Sequence, residues 1–450
     1  MSEKYLVVGA GVSGIGACEL LRKNGKAVTL YDGNEKLKED EIREKNNLSD
    51  VEIVFGAIEK LNLKDFGIAV ISPGIPLDSE IAIALNKSGI TIWGEVELAF
   101  NYSKGRIVAI TGTNGKTTTT ALVGDILKTH YEDVRVCGNI GIAYTGMAYN
   151  STEDTVFVVE ISSFQLETII DFKPDITAIL NITPDHLNRH HTMDNYISAK
   201  KNITINQTES DVCILNYEDE VLRAFGKEVK CRPIYFSSER KLENGAYCEN
   251  GALYFADDNG TDKIIDVDDL TILGKHNFEN AMCGILIGLS MGLSKEEIVT
   301  GLKNFKAVEH RIEYVCERKG VKFYNDSKAT NTDAAIKGIC AMNRPTFLIG
   351  GGYDKDATFD EWVECFDGRV KKLLLIGETK MQIGDTCKKA GFTDFEYADT
   401  LEDAMDICFE EAVSGDAILL SPACASWDMF VNYEERGKCF KTHAGDYKDS

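Results

Sequence analysis

The sequence predicts an α/β fold divided into three domains, and three observations predict it. Short apolar runs alternate with helix-like stretches almost throughout; YLVVG, AVTLYD, IAVIS, RIVAITG, TVFVVE, DITAIL, TFLIGG, LLLIG and AILLS are examples. Such alternation builds parallel sheets with crossover helices. The chain has 450 residues, too many for one core and suited to about three domains. Two of the strand-like runs lead into glycine-rich loops, the arrangement with which α/β domains hold phosphates.

Composition narrows the class. Hydrophobic residues make up 44% and charged residues 27%, which is ordinary for a globular protein. No run of about 18 apolar residues occurs, so no membrane span is expected. The opening MSEKYLVVGAG leaves no room for a signal peptide and reads as a first strand; a cytoplasmic location is expected. Thirteen scattered cysteines, an odd number without C-x-x-C, argue against a disulfide or zinc framework. The net charge of −23 disfavours nucleic acid as a partner. It also requires that an anionic substrate be held by local groups.

Two boundaries suggest themselves: Asn101 to Lys104, where the helix-like GEVELAFNYS gives way to a new strand, and Lys303 to Glu309, before HRIEYV. They divide the chain into 1–101, 102–305 and 306–450. Within the second part, Val229 to Val267 is rich in Gly, Asn, Tyr and Asp and reads as short antiparallel strands and turns.

In the first domain, Gly9, Gly11 and Gly14 form G-x-G-x-x-G after a strand, and Asp32 ends the next strand. This is a Rossmann-like dinucleotide fingerprint. Alone it suggests an NAD enzyme, but the same geometry holds any diphosphate and the chain lacks an evident hydride-transfer partner. Ser72, Pro73 and Gly74 form a turn at another strand end facing the same crevice.

The strongest local pattern is RIVAITGTNGKTTTT at 106–120. An apolar strand leads into Gly112, Thr113, Asn114, Gly115, Lys116, Thr117 and Thr118, and a helix follows. Glycines let N–H groups converge on phosphate oxygens, the helix dipole adds positive potential, Lys116 reaches the terminal phosphates and the Thr117 hydroxyl suits Mg²⁺. The loop is shorter than G-x-x-x-x-G-K-[ST], since Ile110 occupies the first glycine position. Glu160 ends the strand TVFVVE and His186 follows the strand DITAILNI, so both are expected at the same sheet edge, with Glu160 joining Thr117 on a metal. Asn277 and Asn280 share a face at a helix start.

Further motifs follow in order: EISSFQLE (160–167), NITPDHLNRH (181–190), YISAK (196–200), GKHNFEN (274–280), EHRIE (309–313), NDSKATN (325–331), GGYDK (351–355) and SPACASWDMF (421–430). With GTNGKT they resemble the Mur ligase and folylpolyglutamate synthase superfamily over nearly the whole chain. DSKATN and SPACAS look like the D-glutamate-adding branch of the Mur ligases.

The resemblance implies a UDP-binding Rossmann-like domain, a central P-loop ATPase-like domain and a C-terminal Rossmann-like domain. The implied substrates are ATP, UDP-N-acetylmuramoyl-L-alanine and D-glutamate, joined through an acyl phosphate in peptidoglycan precursor synthesis by a monomer. Val12 and Ser13 would lie beside the diphosphate, Asp32 and Gly33 near the uridine, with Ser72, Gly74, Asn139 and Ser162 completing that substrate's site. Asn277 and Arg311 would hold ATP, Arg311 at the transferring phosphate, and Asp326 would contact the ATP ribose or base or orient Lys328. Lys328, Thr330, Lys355, Ser426, Trp427 and Tyr433 would cradle the amino acid. Two Mg²⁺ ions are implied, held by Thr117, Glu160, His186 and Lys200. An imidazole ligand is unusual for Mg²⁺, so Mn²⁺ is expected to substitute. The resembling ligases carbamylate the lysine matching Lys200, turning a cation into an oxygen ligand; spacing alone leaves Lys201 as a competitor. The alternatives are a sister ligase adding L-alanine, a diamino acid or a dipeptide, and an NAD-binding protein with a vestigial ATP loop. A folylpolyglutamate synthase would not explain the fingerprinted first domain.

Overall fold

A computed structural model describes residues 4–46, 48–139, 141–306, 309–353, 357–366 and 368–448. Three sheets are present, and each has helices between its strands. The first sheet is wholly parallel, in the spatial order Glu52–Phe55, Ala27–Asp32, Lys4–Val8, Ile68–Ile71, Thr91–Gly94. Its order reverses beside Lys4–Val8, and the crevice at such a switch point is where open α/β sheets bind ligands.

The second sheet has nine strands: Gly260–Asp266, Ala252–Asp257, Gly245–Glu249, Arg232–Ser237, Val212–Asn216, Ile176–Ile179, Arg106–Thr111, Val156–Glu160 and Val134–Gly138. Every residue of Val156–Glu160 is buried, as a central parallel strand requires. The segment expected to be antiparallel is only partly so. Arg232–Ser237 and Gly245–Glu249 continue the parallel sheet, and reversal begins at the pair Gly245–Glu249 and Ala252–Asp257. Turn-rich composition marks chain reversals but does not distinguish a hairpin from a short crossover.

One apolar cluster runs from Tyr5, Leu21 and Leu30 of the first domain to Ile107, Phe157 and Leu215 of the second. The helix Glu95–Tyr102 also joins these domains through two buried carboxylates. Glu95 accepts the Thr145 amide at 2.7 Å and hydroxyl at 3.0 Å. Glu97 accepts the backbone N–H groups of Ile170, Asp171 and Phe172 at 2.8–3.1 Å. Buried carboxylates are tolerable only when so bonded.

The third sheet has the order Glu313–Arg318, Val321–Asn325, Ala417–Leu420, Thr346–Gly351, Val370–Ile376, Phe395–Tyr397. Only its first strand is antiparallel to its neighbour. Apolar clusters include Leu348, Trp362 and Leu373 in one and Phe347, Leu374 and Phe440 in another; alternate residues of a strand thus supply different layers. By contacts the chain forms two compact units, Met1–Ile265 with Glu279–Leu302, and Asp266–Phe278 with Lys303–Ser450. Among the described residues no helix is long and apolar enough to cross a membrane.

Candidate active site

Adjacent strand ends of the central sheet assemble the first constellation. Arg106–Thr111 lies between Ile176–Ile179 and Val156–Glu160, so the loop 112–115, Glu160 and the loop carrying His186 leave the same edge. The loop is tied to its neighbour by Asn181, whose side-chain oxygen accepts the Asn114 N–H at 2.8 Å and whose amide donates to the Asn114 carbonyl at 3.1 Å. The Thr113 hydroxyl is 3.0 Å from the Tyr196 hydroxyl. Lys116 begins the helix Lys116–Leu127 and donates to the Gly112 and Thr113 carbonyls at 2.9 and 2.8 Å. Gly115 has a φ of 85°, and a Cβ there would meet the Asn280 side-chain oxygen at 2.7 Å. Thr117 and Thr118, both half-buried, fill the first helical turn.

Glu160 ends its strand buried. One carboxylate oxygen accepts the Asn139 amide at 2.8 Å; the other is buried with no hydrogen-bond partner. An orphaned buried carboxylate oxygen at a phosphate-loop edge fits a hard cation. His186 takes a left-handed φ of 52°. Its ring is exposed, 5.0 Å from the Phe164 ring, and its backbone N–H donates to Asp185 at 2.8 Å. Lys200, in the helix Met193–Lys201, is 1% exposed and donates to the Gly112 carbonyl at 2.8 Å. Burial, reinforced by the Lys116 charge, pushes its ammonium down to about 7. Lys201 instead pairs with Glu228 at 3.2 Å, so Lys200 alone of the two neighbours reaches the phosphate loop. Among the described residues no group of three or more His, Cys, Asp or Glu could hold a metal ion.

In the first domain, Val12, Ser13, Asp32, Gly33, Ser72 and Gly74 line one crevice of about 520 Å³. Asp32 shapes it by accepting the Ala10 and Asn34 N–H groups at 2.8 and 2.9 Å. A Cβ on Gly14 would sit 1.8 Å from the Gly9 carbonyl oxygen, so glycine spacing permits the tight turn. Ser162 is placed by Gln165, whose side-chain oxygen accepts its hydroxyl at 3.0 Å. Arg189, beside the histidine loop, donates to Glu167 at 2.6 Å and to the Ile75 carbonyl at 3.2 Å.

In the C-terminal unit Asp326, Lys328 and Thr330 follow the strand Val321–Asn325, and Ser426 and Trp427 follow the neighbouring strand Ala417–Leu420. Asp326 is buried and accepts the Ser421 hydroxyl at 2.7 Å; burial pushes its carboxyl up to about 7. Lys328 holds its N–H on the His310 carbonyl at 3.1 Å and its ammonium 5.7 Å from the Tyr433 ring centre. The Thr330 N–H donates to the Lys328 carbonyl at 2.9 Å. Ser426 is buried, and its carbonyl accepts the Phe430 N–H at 2.7 Å. Trp427 is exposed, its ring 5.6 Å from Tyr353. Arg311 is exposed. Asn277, in the helix Lys275–Ser290, donates to the Leu273 carbonyl at 2.7 Å. Lys355 lies outside the described residues.

Several shaping residues were not singled out from the sequence. Asn181 sits inside a quoted motif, and its place after a strand was a usable signal. Gln165 likewise lies within EISSFQLE. Arg436 gave none, because YEERGKCF reads as a charged surface helix, yet its side chain is buried.

A strand–loop–helix phosphate site bordered by a buried carboxylate and a buried amine, in a chain with three α/β sheets, defines a nucleotide-using enzyme of the ATP-dependent ligase type. Family models match in register: a Mur ligase MurD-like N-terminal domain at 3–94, a Mur ligase middle domain at 110–288 and a Mur ligase glutamate ligase domain at 310–424. A UDP-N-acetylmuramoylalanine–D-glutamate ligase of Lachnospira eligens is 53% identical over 440 residues, 98% of each chain. One of the same name from Lachnoclostridium phytofermentans is 49% identical over 450 residues, covering 100% of this chain and 99% of its own. The chain belongs to the Mur ligase family and is an ATP-dependent ligase. A Thermotoga maritima UDP-N-acetylmuramate–alanine ligase has the same fold, with TM-score 0.58 at 18% identity over 99% of both chains.

Proposed function

We propose that the protein joins D-glutamate to UDP-N-acetylmuramoyl-L-alanine, cleaving ATP to ADP and phosphate, in peptidoglycan precursor synthesis. The division 1–101, 102–305 and 306–450 corresponds to UDP, ATP and amino-acid binding. The observation that carries the chemistry is Lys200, a buried amine on the phosphate-loop carbonyl of Gly112. The choice of amino acid is supported by the two full-length relatives and by the Lys328, Thr330 and Ser426 loops.

The acceptor carboxylate attacks the terminal phosphorus of ATP, giving an acyl phosphate and ADP. The D-glutamate amine then attacks the acyl carbon, expels phosphate and loses a proton. Lys116 and the N–H groups of 112–117 hold the phosphates as charge moves onto them. Arg311 contacts the transferring phosphate, and Asn277 and Asp326 hold the nucleotide. Lys328, Lys355, Thr330 and Ser426 hold the two carboxylates of D-glutamate, against Trp427 and Tyr433. Val12, Ser13, Asp32, Gly33, Ser72, Gly74, Asn139 and Ser162 bind the UDP-linked acceptor.

Glu160, Thr117, His186 and a carbamylated Lys200 would hold two Mg²⁺ ions, or Mn²⁺ in their place. Such cations neutralise phosphate and carboxylate oxygens as they approach. The orphaned Glu160 oxygen and the lowered basicity of Lys200 both fit that role. A neutral amine adds CO₂ with loss of one proton, and the carbamate oxygens are hard ligands. The enzyme works as a cytoplasmic monomer, checked by sedimentation of the purified protein and by fractionation of cells. Phosphate release with the acceptor present, measured against D- and L-amino acids, tests the assignment. D-glutamate alone should support turnover, and L-alanine doing so instead would overturn it.

A further inference from the structure

The loops expected to carry amino-acid contacts leave three neighbouring strands of the third sheet, Val321–Asn325, Ala417–Leu420 and Thr346–Gly351. Loops at strand ends need something to fix them to one another, since no ladder bonds continue there. One side chain underlies all three. Arg436, in the helix Tyr433–Asp446, is 1% exposed. It donates from Nε to the Ser327 hydroxyl at 3.0 Å and from Nη2 to the Ser327 carbonyl at 2.9 Å. It also donates to the Cys424 carbonyl at 3.1 Å and the Ala425 carbonyl at 3.3 Å. Gly352, of the third loop, approaches so closely that a Cβ there would lie 2.3 Å from the Ala425 carbonyl and 3.3 Å from Nη1.

Two of these partners border a residue expected to touch D-glutamate: Ser327 precedes Lys328 and Ala425 precedes Ser426. Among the described residues no carboxylate comes within ion-pair distance of Arg436; neutral oxygens hold it throughout. A buried guanidinium without a counter-ion is costly to keep as a fastening. Its charge, acted on by Asp428 and Asp326 nearby, lies beneath loops proposed to receive a dianion, in a chain whose own charge is −23. Lysine cannot replace it, because a point ammonium lacks the planar fork that bonds two of the loops at once while packing against Gly352 of the third.

We infer that Arg436 is a positioning residue for the amino-acid substrate, fixing the 326–330, 351–353 and 421–427 loops in register from beneath while touching no substrate itself. The inference rests on the function proposed above. Wild-type turnover with D-glutamate is therefore measured first; its absence overturns the assigned function and leaves the loop geometry untouched.

The test is steady-state kinetics of Arg436→Lys and Ser327→Ala in the full-length enzyme, with thermal unfolding of each recorded. Arg436→Lys should raise the KM for D-glutamate about tenfold, the effect of one lost charge-assisted bond network. The KM for the UDP-linked acceptor, bound in the first domain, should move by less than about twofold on the same scale. Ser327→Ala removes the hydroxyl, which accepts from Arg436 at 3.0 Å and donates to the Tyr433 carbonyl at 2.8 Å, and should shift the D-glutamate KM in the same direction by a smaller factor, about threefold. If Arg436→Lys does not fold, the Ser327→Ala split decides. A folded variant with an unchanged D-glutamate KM, or one in which both KM values rise equally, overturns the inference.

Discussion

The Lys200 amine nitrogen lies 2.8 Å from the Gly112 carbonyl oxygen, buried beside a loop built to receive phosphates. The lysine matters through its protonation. Its pKa is lowered from the ordinary lysine value to about 7, first by burial and then by Lys116, so the neutral, nucleophilic amine grows as pH rises through about 7. An exposed lysine would need about three further pH units. Carbon-13 NMR in labelled bicarbonate should show one carbamate that strengthens across this window and is missing in Lys200→Ala. A spectrum without it, from active enzyme at pH 8, contradicts carbamylation.

Glu160 presents one bonded oxygen and one buried orphan. Glu160→Gln keeps the volume and the contact to Asn139 but removes the charge. The Mg²⁺ concentration needed for half-maximal turnover should rise at least about tenfold, the scale of a lost charged ligand. Thermal stability should hold or increase, because an uncompensated buried charge is gone. An unchanged Mg²⁺ requirement would remove Glu160 from the metal site.

Gly115 is confined in two ways, by its φ of 85° and by Asn280 standing over it. An alanine there carries a backbone cost of about 1–2 kcal/mol and displaces the Asn280 amide. Gly115→Ala should weaken binding of a non-hydrolysable ATP analogue about tenfold or more on that energy scale. Adding Asn280→Ala removes the collision but not the backbone strain, so affinity should recover only in part. Calorimetric titration of both variants checks this; wild-type affinity in Gly115→Ala would contradict it.

Asp326 gives a pH dependence of defined sign. Burial raises its carboxyl from 3.8 to about 7 in the folded protein. The folded state therefore binds the extra proton between these values, and this residue's contribution to stability falls as pH rises from about 4 to about 7. Asp326→Asn keeps an oxygen for the Ser421 hydroxyl and does not titrate. Its unfolding midpoint in urea should gain on wild type as pH rises through that window. A constant difference would show that the carboxyl is ionised throughout.

The α/β architecture was legible because strand-length apolar runs punctuated by glycine loops leave few other folds. The phosphate loop and Glu160 were legible for the same reason, each standing at the end of a strand that can be read off the sequence, whereas Lys200 was singled out by the resemblance of YISAK, spacing alone leaving Lys201 open. The parallel pairing of Arg232–Ser237 and Gly245–Glu249 was not, since composition marks the turns but not which neighbour a strand takes. Nor were Glu95, Glu97 and Arg436. These are buried ionisable groups whose partners include backbone groups and hydroxyls of other elements, so no local pattern distinguishes them from surface residues.

The most direct measurement is ADP formation by the full-length protein with ATP, Mg²⁺ and UDP-N-acetylmuramoyl-L-alanine, with and without each of a panel of amino acids. Mass analysis of the UDP-linked product accompanies it. Sustained ADP release that requires D-glutamate, with a product heavier by one glutamyl residue, is the predicted result. Turnover that proceeds with L-alanine or a diamino acid in place of D-glutamate, or a UDP-linked substrate left unchanged, would contradict it.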